Sequence, residues 1–399
     1  AIEGQKISLE AGDGQTWRIV KPGPYRADAE LIGDFLDKLQ SAKAKAFVAD
    51  GPKSLQPWGL DRPTTVTLWT GKDKERASKV LLFGRTDKDR KGVYVMRAGD
   101  TSVMLAPEDL WTVVPKTAAA LRDKVVVAYA ADTVNRLEVE HARGKVTVEK
   151  AGGEWKITAP EALKADSGAV ANLLWKVRDL RASGFLGETA ADIPRYLAKP
   201  EVTVRLWQEG AKEPMVLLLR SSPESRKGQP QAVAAVQGQG PVVLVDGKAI
   251  GDLSKTVTDL RDHSIFPAFE TKDVKRLVVT AGGKRMVVER SGETDWKVLE
   301  PSKGVAKEHK VVNALLTLKA LRWKDMLASR GDEAARFGFD TPEVEVTVLK
   351  SDGGELATLQ VGNQEGGLTY VRLKSPPTVY SVETKTLGDL RKAQTDIPG

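Results

Sequence analysis

The chain has 399 residues, 41% hydrophobic and 29% charged, proportions that suit a soluble protein of two or three domains. Its 61 Lys and Arg exceed its 54 Asp and Glu for a formal charge of +7, but the two signs are interleaved. Interleaving reads as solvated surface and not as a nucleic-acid-binding stripe. There is no cysteine, which excludes disulfides, thiolate metal sites and cysteine nucleophiles, and no apolar run of the roughly 18 residues that suggest a membrane span.

The first element is a hairpin whose second strand carries Trp17-Arg18-Ile19-Val20-Lys21-Pro22. Ala27 and Asp28 follow, and then apolar residues at helical spacing: Leu31, Ile32, Phe35, Leu36 and Leu39. Asp28 stands where an N-cap carboxylate accepts the orphan amide bonds of a helix. Trp58-Gly59-Leu60-Asp61-Arg62 leads to Pro63, which lacks a ladder donor and so suits the first residue of a strand. Val66 and Leu68 then alternate with polar residues, the period of a half-buried strand. Strands are expected over Val80–Phe83, Val93–Met96 and Ser102–Leu105, and a short helical stretch ends in Leu121-Arg122-Asp123.

The same order occurs twice more. Trp155-Lys156-Ile157-Thr158-Ala159-Pro160 and Trp296-Lys297-Val298-Leu299-Glu300-Pro301 repeat the first word. Ala165-Asp166 and Ala306-Lys307 repeat the helix start, and Lys307, having no acceptor, should cap more weakly. Pro200 and Pro342 open alternating strands, the second after Phe337-Gly338-Phe339-Asp340-Thr341, the first after a degraded Arg195-Tyr196-Leu197-Ala198-Lys199. Leu260-Arg261-Asp262 and Leu390-Arg391-Lys392 read as the closing words. Repetition at a period of roughly 130 to 140 residues defines tandem modules, with boundaries at 1–124, 125–263 and 264–399. The fold expected is α+β: three tandem repeats, each a mostly antiparallel sheet of about five to six strands with a covering helix and a short closing helix.

The second and third modules also begin with a strand of their own, Arg136–Glu140 and Arg276–Thr280. Counted back from Trp17, its counterpart falls at or before Ala1. The first module is therefore expected to lack its first strand, and the strand near Lys6–Glu10 to show an open edge or borrow a neighbour. The expectation is that the native protein supplies the strand upstream, after a membrane anchor.

These words together (Trp-x4-Pro, the Ala-Asp helix start, Gly-Leu-Asp-x-Pro and the Leu-Arg-Asp ending) resemble the DUF4340 family, a bacterial family of unknown function. The resemblance spans essentially the whole chain. It implies an extracytoplasmic body behind an N-terminal membrane segment, and association with ABC-transporter permeases of the gliding-motility type. It brings no catalytic residues.

The residues themselves point away from catalysis. His141, His263 and His309 fall at different places in the modules and share no ligand spacing, so no metal and no cofactor are expected. The pairs Gly152-Gly153 and Gly282-Gly283 suit hairpin turns and lead into no Lys-Ser/Thr helix start. No Gly-x-Ser-x-Gly or His-Glu-x-x-His word occurs. Trp58, Trp69 and Trp207 are the candidates for stacking on a ligand, because Trp17, Trp155 and Trp296 recur in register and suit a core. One stretch is locally basic: Lys72, Lys74, Arg76, Lys79, Arg85, Lys88, Arg90, Lys91 and Arg97, against Asp73, Glu75, Asp87 and Asp89. It is a candidate contact with an anionic lipid surface.

The expected function is a non-enzymatic extracytoplasmic body of a membrane complex, an accessory or scaffold with a transporter-like permease as partner. Two alternatives are a secreted or cell-surface module that binds glycan or peptide, and a hydrolase with dispersed acidic residues.

Overall fold

The computed structural model describes residues 6–71, 76–226, 228–328 and 335–399. Among them the strands form two sheets of nine, one of five and one of three, and the helices are short apart from three. The chain divides into two compact units, residues 1–132, 175–204 and 215–253, and residues 133–174, 205–214 and 254–399.

The first unit begins with β1 (Ser8–Ala11), β2 (Trp17–Lys21) and β3 (Tyr25–Arg26), which pair in that order as a sheet of three. Helix α1 (Ala29–Ser41) follows, started by Asp28, whose carboxylate accepts from the Leu31 amide at 3.1 Å. Then come β4 (Ala46–Asp50), β5 (Thr64–Thr70), β6 (Ala77–Asp87), β7 (Gly92–Arg97) and β8 (Ser102–Pro107), and α2 (Glu108–Thr112). These strands form an antiparallel sheet in the order β4-β8-β7-β6-β5, so β4 returns to the far edge.

The middle segment contributes to both units. In the second unit, β9 (Val134–His141), β10 (Gly144–Ala151), β11 (Glu154–Ala159) and β12 (Leu163–Lys164) form a meander, followed by α3 (Ser167–Arg178), which both units share. In the first unit come β13 (Gly184–Gly187), α4 (Ile193–Leu197), part of β14 (Val202–Gln208), β15 (Met215–Arg226), β16 (Gln229–Val236), β17 (Val242–Asp246) and α5 (Lys248–Leu253). There β15, β16, β17 and β13 are neighbours in that order. Helix α6 (Val257–Leu260) belongs to the second unit.

The second unit also holds a complete nine-stranded sheet. Its strands are β18 (Val274–Ala281), β19 (Lys284–Arg290), β20 (Trp296–Glu300), β21 (Gly304–Val305), β22 (Asp325–Ala328), β23 (Val344–Lys350), β24 (Glu355–Glu365), β25 (Leu368–Leu373) and β26 (Val379–Glu383). The order is β21-β20-β19-β18-β23-β24-β25-β26-β22. Helix α7 (Glu308–Ala320) buries Val311, Ala314, Leu315 and Leu318 against one face, and α8 (Gly388–Arg391) and α9 (Ala393–Asp396) close the segment. Lys307 caps α7 without a side-chain bond, as its chemistry requires.

Three expectations need correction. The two sheets of nine strands exceed the five to six read from sequence, whereas the sheet β4-β8-β7-β6-β5 has five. The two-residue β12 and β21 and the short edges β13 and β22 are too brief to show a period of two. Trp155 and Trp296 are buried at 8% and 2% exposure, but Trp17 is only half-buried. The third closing word is not Leu390-Arg391. The amide that starts each long helix, of Asp28, Asp166 and Lys307, donates to Leu121 O, Leu260 O and Ile397 O. Ile397 therefore holds the place of Leu121 and Leu260, and Leu390 the place of Leu253, each buried after a Gly-Asp pair, Gly251-Asp252 and Gly388-Asp389.

Candidate functional site

The Gly-Leu-Asp word is structural. Gly59 and Gly338 have φ of 68° and 81°, a left-handed turn that favours glycine, and it drops Leu60 and Phe339 into the core. The turn also brings the Trp58 and Phe337 carbonyls against the next strand. A Cβ at Gly84 or Gly362 would lie 2.1 Å from those oxygens. The middle segment lacks both the word and the glycine, consistent with a packing requirement that the two meet together.

The basic stretch lies on the β5–β6–β7 hairpins, where strand pairing divides it. Lys72 and Lys74 lie outside the described residues. Arg76, Lys79 and Arg97 sit at the end where β5 turns into β6: Leu68 pairs with Lys79, and Leu81 with Arg97. Lys88, Arg90 and Lys91 form the β6–β7 turn, at the opposite end of the 11-residue β6, about 30 Å away at a strand's rise. Arg85 lies on β6 toward that turn and is exposed. Among the described residues no single patch therefore gathers the stretch.

The two ends differ in chemistry. At the turn, Tyr94 donates to Asp87 at 2.5 Å and the Arg90 amide donates to it at 3.0 Å. These bonds hold the Asp87 carboxyl below the usual carboxylate range, and the same bond raises the Tyr94 hydroxyl. Lys45 donates to Arg90 O and Lys91 O at 2.8 and 3.2 Å. Its role was legible only as a second base near Lys43 beside an unread edge strand. At the other end Trp69 is 57% exposed, with the Arg76 guanidinium 4.8 Å from its ring centre.

The other stacking candidates are less open. Trp58 is partly buried against the cluster of Leu60, Tyr94 and Leu105. Trp207, in the second unit, is partly buried with the Arg136 guanidinium 4.5 Å above its ring. In the second unit a shallow cavity of about 540 Å³ is lined by Lys284, Arg285, Met286, Pro301, Lys303 and Val305. In the first, Phe47 on β4 is 78% exposed beside a cavity of about 370 Å³.

Two of the three histidines bond to backbone carbonyls: His141 to Lys255 O at 3.0 Å, and His263 to Thr258 O at 2.7 Å, the latter stacked on Trp323. The buried Glu138 is held by Arg205 and Lys145 at 2.7 and 2.9 Å. Among the described residues no group of three His, Asp or Glu gathers as a metal site, and no helix is long and apolar enough to cross a membrane. Sequence reading missed a recurring contact. Lys38, Lys176 and Thr317, each ten positions after the helix cap, bond to Asp109, Asp252 and Asp389.

A family model described as a domain of unknown function, DUF4340, matches residues 17–157, 155–335 and 296–397. The chain belongs to this family. Neither curated proteins nor solved structures include a match to it.

Proposed function

We propose that this chain is the non-enzymatic extracytoplasmic body of a membrane-associated complex, built as three tandem copies of one sheet-and-helix module, with a transporter-like permease as partner. The first module rests on the anionic lipid surface through Trp69, Arg76, Lys79 and Arg97. The observation that carries this is the exposed Trp69 under Arg76, at the same sheet end as Lys79 and Arg97. An amphipathic ring beside bases suits the headgroup layer, where each base is worth about 1 kcal/mol. Support for the modules is the recurring strand order and the three overlapping family matches. The extracytoplasmic setting and the permease come from the family resemblance.

The carboxylates with displaced pKa, such as Asp109, Asp192 and Glu289, are displaced downward by hydrogen bonds. That is the direction of paired structural groups and the opposite of a general acid, so it lends the hydrolase reading nothing.

The test is sedimentation with phosphatidylglycerol-containing vesicles at low salt, comparing R76E/K79E/R97E with K88E/R90E/K91E. Loss of binding in the first variant alone is the expected result. Intact protein that ignores the vesicles, or loss in the second variant alone, overturns the lipid contact. Affinity capture of the native complex that recovers no permease overturns the partner.

A further inference from the structure

The stretch after each long helix joins its sheet in the same way in all three segments. The Lys45, Ser183 and Lys324 amides donate to Leu105 O, Leu244 O and Ser381 O at 2.7, 2.7 and 2.8 Å. Two residues on, Phe47, Phe185 and Met326 pair with Met104, Val243 and Tyr380, each just before a register shift. These registers match Ala42 with Leu180 and Leu321, and Ala44 with Ala182 and Trp323. Past the shift they match Asp50 with Glu188.

In two segments this stretch is covered by the chain that follows a closing word. After Leu121-Arg122-Asp123, Val125 forms a β-bridge with Arg181, the Ala182 amide donates to Lys124 O at 2.8 Å and the Val126 amide to Leu180 O at 3.4 Å. After Leu260-Arg261-Asp262, Ser264 bridges Arg322, the Trp323 amide donates to His263 O at 2.9 Å and the Ile265 amide to Leu321 O at 3.3 Å. The arginine of each word adds a ring contact. The Arg122 guanidinium lies 3.4 Å from the Phe185 ring centre and bonds both Glu188 oxygens, and that of Arg261 lies 5.0 Å from the Trp323 ring centre. Leu180, Ala182, Leu321 and Trp323 are all buried.

The first segment presents the same features uncovered. Ala42, Lys43, Ala44 and Lys45 are exposed, as is Phe47. The Thr101 and Ser102 hydroxyls both donate to Asp50 Oδ1, at 2.8 and 3.1 Å, and among the described residues no donor reaches Oδ2. Phe47, Asp50 and Ser102 line the cavity of about 370 Å³.

We propose that Ala42–Asp50 is a docking edge for an extended, arginine-bearing segment of a partner protein. The main chain of that segment bridges Ala42–Ala44, and its arginine stacks on Phe47 and pairs with Asp50. A planar guanidinium can stack on a ring and pair with a carboxylate at once, which an ammonium cannot. Main-chain bonds to an exposed edge supply the rest. The partner is not a second copy of this chain. The closing arginines, Arg122 and Arg261, are already engaged, and in the last segment Pro398 holds their place, bridging Ala306 as Arg122 bridges Ala27 and Arg261 bridges Ala165. The docking edge stands independently of the lipid contact.

The experiment uses a dye-labelled, acetylated peptide copying Leu121–Val127 and reads its fluorescence anisotropy with the full chain. Saturable binding with a dissociation constant below about 1 mM is expected, weakened at least about tenfold by Phe47→Ala or Asp50→Lys in the protein and by Arg122→Ala in the peptide. Phe47→Tyr, which keeps the ring, should bind as the native chain does. Both positions are exposed, so melting temperatures should stay unchanged. No saturation, or equal binding by the Phe47→Ala chain, overturns the site. Arginine amide that competes as well as the unlabelled peptide overturns the main-chain bridge. Self-association of the chain that Phe47→Ala abolishes overturns the assignment to a different protein.

Discussion

The Arg122 guanidinium grips both oxygens of Glu188, at 2.8 and 2.7 Å, and lies between the Tyr25 and Phe185 rings, 4.1 and 3.4 Å from their centres. Arg122 closes the first segment, and Glu188 follows β13 in the next. The side chain is 9% exposed and its partner's 44%, so the contact is intermediate between a buried and a surface ion pair. Arg122→Ala should cost about 1–3 kcal/mol in urea unfolding. Arg122→Lys should not restore it, because an ammonium cannot make the paired bonds or stack as a plane.

The bonds from Asp252 and Asp109 to the long helices recur but are exposed, with Lys176 Nζ 3.0 Å from Asp252. Asp252→Ala should cost less than about 1 kcal/mol. Its neighbour Leu253, 1% exposed, should cost about 2–5 kcal/mol when cut to Ala. Paired chemical denaturation curves would separate the two.

Glycines should divide by what surrounds them. Gly84→Ala or Gly362→Ala forces a Cβ onto a carbonyl oxygen and should destabilise by at least about 2 kcal/mol. Gly33 lies within α1 with nothing within 4 Å of a Cβ. Gly33→Ala should stabilise by about 0.5–1 kcal/mol.

Glu383 bonds Lys324 at 2.7 Å and Lys385 at 2.8 Å, and these bonds hold its carboxyl down to about 2 from an ordinary 4.5. A folded-state pKa below the unfolded one gives stability that is complete above pH 4.5 and lost as pH falls toward 2. Glu383→Gln should flatten that part of the acid limb, and added salt should weaken the effect in the native protein. A carboxyl carbon titration by NMR reads the pKa directly.

Much of the fold was legible because its signals are local. The Trp words mark the strands β2, β11 and β20, Asp28 and Asp166 cap their helices by side-chain bonds, and the prolines 63, 200 and 342 precede alternating strands. Among the described residues β1 pairs only with β2; residues 1–5, on which the expected open edge depends, lie outside the described residues. Less of the site was legible. Nine basic residues along one stretch look like one patch, but the β5–β6–β7 ladders carry Arg76 and Lys88 to opposite ends of a strand.

What the sequence by itself determined is the module: its composition, its periodicities and its capping residues act within a few positions of one another, so they can be read in order. Only the tertiary structure decided which distant residues meet. Strand pairing set Ile397, and not Leu390, against the helix start at Lys307. It left Leu9 and Val66 half-buried where Val288 and Val346 are wholly buried, and laid Phe185 against Arg122. Such contacts depend on register and on the return of edge strands across a sheet, and a residue's neighbours along the chain carry no record of either.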